Sequence, residues 1–279
     1  MTAPDAEKPS TVAVSISESP DLRVLGLSDG HLHDAMAETA LEVLASGRSL
    51  AYGGDLRKHG FTELLAELVA RYRGHPQHGG AVEVTDYLAW PVHIQLTADA
   101  LAEFEAQHEP AVRLVFLGLD GTRLGREERQ ALHVREPDED EWTRGLTAMR
   151  RVMRGDIRAR ILLGGRVDGY RGAMPGIAEE AWLSLETGQP VFLLGGFGGC
   201  TRDIAETIGL VEPWAGSRGE WAGRERFRQY TPDGLRNGLA PDENAALART
   251  PHIEEAVTLV SRGLRRVLDR GDTDAQGVH

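Results

Sequence analysis

Cysteine is nearly missing from this chain of 279 residues. Cys200 stands alone, which excludes an internal disulfide and any multi-cysteine zinc or iron–sulfur site. Lysine is almost as scarce: Lys8 and Lys58 are the only two, so arginine carries nearly every positive charge. Its planar fork suits bidentate capture of phosphate or carboxylate. Positive charge is itself in deficit, 31 Lys+Arg against 43 Asp+Glu for a net charge of -12. That balance argues against a nucleic-acid backbone as partner, because phosphate binding needs a local excess of cations. No apolar run approaches the ~20 residues that span a bilayer. The opening MTAPDAEKPS also lacks the basic and apolar stretches of a leader. A soluble, cytoplasmic protein with no membrane partner is expected. The nucleotide fingerprints G-x-x-x-x-G-K-[ST] and strand-linked G-x-G-x-x-G are missing too, which disfavours a P-loop ATPase and a conventional NAD dehydrogenase.

What is present reads as an ordinary globular chain, 41% hydrophobic and 27% charged. Short apolar runs at 12–17, 49–53, 81–87, 112–118, 160–164 and 190–195 predict buried parallel strands. Amphipathic stretches predict helices over 31–47, 61–74, 142–154, 175–187, 201–210 and 250–270. In the last, Thr250 suits the N-cap and Pro251 the first helical position. Strands alternating with helices imply an α/β fold with an open, doubly wound, mostly parallel sheet flanked by helices. One domain is expected over 11–270, between a loose tail at 1–10 and another at 271–279. Two stretches fit the alternation poorly. Residues 119–141 read as a loop ending in the acidic run EPDEDEW, which suits a first helical turn. Residues 212–249 read as an irregular excursion, with Arg218, Arg224, Arg226 and Arg228 among Trp214, Trp221 and Tyr230.

In such a sheet, ligands bind beyond the carboxyl ends of the strands, where backbone amides and helix N-termini point outward. Small residues gather at those ends in SISESPD, YGGDLRKHGFT, LLGGRVDGYRGAMPGIAEEA and LLGGFGGCT. The candidate ligand contacts are Ser15, Ser17 and Ser19 in the first; Gly53, Gly54, Asp55, Arg57 and Gly60 in the second; Gly164, Gly165, Arg166, Gly176 and Glu179 in the third; and Gly195, Gly196, Gly198, Gly199 and Thr201 in the fourth. Paired glycines let backbone approach a phosphate, and equally they serve tight strand-to-helix turns. Glu180 can stabilise charge on a ribose or complement a helix N-terminus, and Arg57 and Arg166 can clamp a diphosphate or stay solvated. His31 and His33, two apart at a helix start, do not share a face for a metal, and His75 and His78 lack a nearby carboxylate. Cys200 reads as a small buried thiol, and Trp90 and Trp182 as core or interface residues.

Two of these segments carry a resemblance. YGGDLRKHGFTELLAELV is similar to the YGGG-x-x-G-x-M-G segment of the LOG ("Lonely guy") nucleotide phosphoribohydrolases, and AMRRVMRGDIRARILLGGR…MPGIAEEA to their helix Arg followed by P-G-G-x-G-T-x-x-E. With SISESPD, YLAWPVH and NGLAPDEN, the chain over 12–268 resembles the SLOG superfamily of LOG- and DprA-like, Rossmann-like domains. It looks closest to the branch found beside TIR and other effectors in bacterial conflict systems. The resemblance implies a site for a nucleotide-derived small molecule, of NAD/ADP-ribose type or a nucleoside phosphate; separately, no cofactor and no metal are expected. It matches Glu180 to the glutamate that serves N-glycosidic cleavage and Arg150, or Arg151, to the helix arginine, both catalytic if the chain is an enzyme. Leu163 stands where those enzymes have Pro, Ile177 where they have Thr, and residues 166–175 are extra. Three readings follow: a ligand sensor in bacterial signalling or antiviral defence, acting as a homo-oligomer or through an effector such as a TIR-domain protein; a phosphoribohydrolase; or an oligomeric scaffold.

Overall fold

A computed structural model describes residues 10–57, 60–73, 83–214 and 220–269. Residues 1–9 of the first expected tail, all of the second, His75, His78, Arg218 and the first two residues of the strand expected over 81–87 lie outside the described residues. Among the described residues seven strands, β1 (Thr11–Ser17), β2 (Ser49–Tyr52), β3 (Val84–Leu88), β4 (Val112–Leu117), β5 (Arg123–Leu124), β6 (Ala159–Gly164) and β7 (Val191–Leu194), form one sheet. Their order is β5-β4-β3-β2-β1-β6-β7, parallel except for β5 against β4. The chain winds outward from β1 to β5, then returns to lay β6 beside β1 in register, Ser17 opposite Gly164. This is a Rossmann-like fold, and the reversal of direction between β1 and β6 is its switch point.

Both faces of the sheet are covered, which is why the strands read as unbroken apolar runs. Over one face lie α1 (Asp29–Ala45), α2 (Phe61–Arg73) and α10 (Ile253–Leu264), packed on Val12, Val14, Ile161, Leu163 and Phe192. On the other, α6 (Glu139–Asp156) covers Ala13, Ala51, Tyr87 and Val115, while α7 (Gly176–Glu186) and α8 (Gly199–Thr207) cover Leu162, Val191 and Leu193. Alternate residues of β6 thus serve opposite faces, as the period of two requires. Among the described residues, no helix is long and apolar enough to cross a membrane.

Several elements correct the expectations. The loop foreseen over 119–141 contains β5 and the short helix α5 (Arg126–Gln130). Its acidic run starts α6 earlier than expected, because Asp138 accepts the Glu141 amide at 2.8 Å while Glu141 accepts the Asp138 amide at 3.1 Å. Between β3 and β4 stand α3 (Trp90–His93) and α4 (Ala98–His108), neither of which was foreseen. Trp90 is half-buried and donates its indole N–H to Glu141 at 3.0 Å. The described part of the excursion holds α9 (Pro241–Leu247) and two 3-10 turns. Helix α10 begins later than 250: Thr250 Oγ1 accepts from the His252 amide at 3.1 Å, and His252 occupies the N-cap.

Candidate functional site

At the switch point the carboxyl ends of β1, β2 and β6 surround a cleft of about 570 Å³, within the range of small-molecule sites. Each end supplies one wall. Glu18, Ser19 and Pro20 follow β1; Arg57, Gly60 and Phe61 follow β2; Arg166, Val167 and Asp168 follow β6; and the start of α1 adds Asp29, Leu32 and His33. Four expected contacts, Ser19, Arg57, Gly60 and Arg166, therefore line one hollow. The walls carry compensating charge: Arg57 pairs with Asp55 at 2.6 Å, and Arg166 with Glu18. The His33 and Phe61 rings meet with centroids 4.9 Å apart, an aromatic surface beside the apolar Leu32 and Val167.

The turn after β2 is held from inside the protein. A Cβ on Gly54 would come within 2.2 Å of the Tyr52 ring, and one on Gly53 within 3.0 Å of Met149 Sδ, so the turn tolerates no side chain at Gly54. The Gly54 amide donates to Asp86 Oδ1 at 3.1 Å, and Thr62 Oγ1 lies 2.7 Å from the Asp55 carbonyl and 3.2 Å from Asp86 Oδ2. Burial pushes the Asp86 carboxyl up to about 7, against the lowering effect of those two hydrogen bonds and with a small further rise from Asp55. Tyr52, beside Asp86, is likewise pushed up by burial and by the neighbouring carboxylates.

The remaining expected contacts stand behind the cleft walls. Gly164 and Gly165 have φ of +61° and +104°, and the Gly165 amide donates to the Ser17 carbonyl at 3.1 Å, closing the β1–β6 end. A Cβ on Gly165 would strike Cys200 and Ile177 at 2.8 Å, and one on Gly199 the Gly165 carbonyl at 2.5 Å. Gly199 donates its amide to Asp21 at 2.6 Å, and Gly198 packs on the same side chain. Gly195 and Gly196 abut the backbone of Ala248 and Thr250. Thr201 is fully buried. The glycines of LLGGFGGCT thus join segments of chain that approach too closely for a side chain and do not open into the cleft. Burial raises the Cys200 thiol, which keeps it protonated and unreactive.

Beneath the cleft lies a buried charge cluster. Glu180 accepts from Ser15 and from Arg160 Nη1, the latter at 2.6 Å, and its other oxygen lies 3.5 Å from Arg150 Nε. Glu179 accepts from Arg150 and from Thr147, at 2.5 Å for the threonine. Arg150 passes Gly176, where a Cβ would sit 2.7 Å from its guanidinium, so the glycine makes room for the arginine. Two arginines thus balance two glutamates out of reach of bulk water. Burial lowers the Arg160 guanidinium and the charge of Glu180 raises it.

Sequence reasoning missed Asp86, Arg160, Tyr52, Thr62, Phe61, His33, Asp29 and Asp168. For the first two a signal was available: a charged residue inside a short, mainly apolar strand, VTDYL and ARILLG. The spacing of His33 from His31 speaks only against a shared metal, and only the fold places His33 against Phe61.

No curated protein matches the chain. The model of the family described as SLOG cluster2 matches residues 6–232.

Proposed function

The chain belongs to the SLOG cluster2 family, and from that premise we propose that its cleft binds a nucleotide-derived small molecule, of NAD/ADP-ribose type or a nucleoside phosphate, as a sensor in bacterial signalling or antiviral defence. One observation carries the reading: a concave site at the switch point, walled by three separate strand ends, that offers an aromatic surface, two arginines and several carboxylates together. A base stacks on Phe61 and His33, phosphate oxygens engage the forks of Arg57 and Arg166, and ribose hydroxyls donate to Asp29 or Asp168. A homo-oligomer, or an effector such as a TIR-domain protein, then reads the occupied state.

Binding is favoured over hydrolysis by the surroundings of Glu180. A carboxylate enclosed by Ser15, Arg160 and Arg150, with 7% of the residue exposed, is already neutralised and is not among the lining residues. Serving as general base would require it to leave that network. Titration calorimetry with ADP-ribose, NAD and nucleoside monophosphates tests the reading. Saturable binding is expected for at least one, weakened about tenfold or more by Arg57→Ala or Arg166→Ala, since charge-assisted hydrogen bonds contribute about 1.5–3 kcal/mol. Absence of heat with every ligand removes the reading. Release of free base, abolished by Glu180→Gln, establishes the phosphoribohydrolase in its place.

A further inference from the structure

We propose that Asp86 is a positioning residue for the cleft: its carboxyl, carrying a proton, holds the Gly53–Asp55 turn in its binding shape, and loss of that proton releases the turn. The inference rests on the reading of the cleft as a ligand site and concerns a residue that does not line it.

The argument is a count of protons. Around Asp86 lie three short contacts: Gly54 N–H to Oδ1 at 3.1 Å, Oδ2 to Thr62 Oγ1 at 3.2 Å, and Thr62 Oγ1 to the Asp55 carbonyl at 2.7 Å. The amide supplies its own proton for the first. A threonine hydroxyl has one proton, and both the Asp55 carbonyl and an ionised Asp86 are pure acceptors. An ionised Asp86 therefore leaves one of the last two contacts without a proton. With a proton on Oδ2 the chain is complete: Asp86 donates to Thr62, and Thr62 donates to Asp55. Asp86 is fully buried, so no solvent replaces a missing partner. Burial separately pushes the carboxyl up to about 7, even though Gly54 and, in the ionised form, Thr62 donate to it.

Among the described residues, the ionisable groups facing it are Asp55 from the turn, whose charge also favours the neutral form, and Tyr52 from β2, itself pushed up and so neutral near pH 7. Arg57 acts on Tyr52 and pairs with Asp55. From α2 the facing group is the Thr62 hydroxyl. Ionisation sets a carboxylate beside Asp55 and draws the Thr62 proton to itself. The Asp55 carbonyl then loses its anchor, and Arg57, two residues on, loses its position at the cleft wall.

Two measurements on the full chain decide it. In a carbon-13 carboxyl titration, Asp86 titrates near pH 7; titration near the ordinary aspartate value, about 3.9, overturns the proposal. Amide hydrogen exchange at Gly54, corrected for the intrinsic rate, accelerates between pH 6 and 8 in the wild type and stays level in Asp86→Asn, whose amide can accept from Gly54 and donate to Thr62. Equal acceleration in both proteins also overturns it. Calorimetry with ADP-ribose at pH 6 and pH 8 adds the functional consequence. As the protonated fraction falls, wild-type affinity drops by about tenfold, and Asp86→Asn holds the pH 6 value at both. An affinity that does not change with pH in the wild type refutes the coupling to the cleft. Failure of ADP-ribose to bind at either pH counts against the ligand reading, and the titration and exchange results still decide the role of Asp86 in the turn.

Discussion

Gly47 and Gly199 separate what a glycine does for conformation from what it does for packing. Both have positive φ, +75° and +66°, but a Cβ on Gly47 meets nothing within 4 Å, whereas one on Gly199 lies 2.5 Å from the Gly165 carbonyl. Gly47→Ala is expected to cost about 1 kcal/mol, the strain of a left-handed alanine. Gly199→Ala carries the same strain plus a backbone clash between the β6 and β7 ends, so it should cost about 3 kcal/mol or prevent folding. Urea unfolding of the two variants checks the order, and equal costs contradict the packing role given to Gly199. Asp86 adds a pH dependence. Its folded-state value, about 7, lies above the unfolded one, so the neutral carboxyl favours the fold at low pH. That stability is fully present below about pH 4 and is lost as pH rises to about 7. Asp86→Asn should remove this decline, making the variant more stable than wild type at pH 8. Thermal melting across pH 5 to 8 reads the difference. The role of Gly199 could not be read from the sequence, because glycine pairs look alike whether they face a ligand or a neighbouring backbone, and only the fold tells which; Asp86 stood out as a charge in a strand, and the fold supplies its partners.

Elements were legible where burial imposes a period. The six expected strands appear because parallel strands buried on both faces are apolar throughout, and α1, α2, α6, α7, α8 and α10 appear because each repeats an apolar face. Helix α4 escaped because Leu101 is its only buried residue, and β5 because a two-residue strand has no pattern to read. The site was legible to the same extent. Strand ends named Ser19, Arg57, Gly60 and Arg166 as neighbours, while the ring contact of His33 and the partners of Glu180 depend on how α1 and β6 pack. Strand β6 carries the sharpest prediction at this scale. Arg160, with no exposed side-chain surface, holds Glu180 and Ser184 under α7. Removing one partner of a buried pair costs about 3–5 kcal/mol, whereas replacing both with apolar groups is often neutral. Arg160→Met alone should therefore be strongly destabilised, and Arg160→Met with Glu180→Leu should recover most of the loss in chemical denaturation. If the double variant is no better than the single, the ion pair is not the reason Arg160 is tolerated in β6.

The family match ends at residue 232, but the fold does not. Helix α10 packs on α1, and its Ala256, Leu259, Val260 and Leu264 belong to the same core as Val12, Leu163 and Phe192. Just before it, the backbone of Ala248 and Thr250 fills the space beside Gly195 and Gly196, and Asn237 donates to the Val191 carbonyl at 2.8 Å on the edge strand β7. Burying a leucine or valine contributes about 1.5–3 kcal/mol. Leu247, Leu259, Val260 and Leu264 together thus approach the 5–15 kcal/mol, roughly, of a whole domain's net stability. A chain ending at 232 would expose that face of the sheet while keeping every residue that lines the cleft. It is expected to be unable to fold cooperatively, showing no sharp thermal transition and binding a dye specific for exposed apolar surface. Adding the separate segment 233–269 should restore a transition if the core is continuous across the boundary. A cooperative transition in the 1–232 chain alone would mean that the unit holding the cleft is smaller than the core assigned to it.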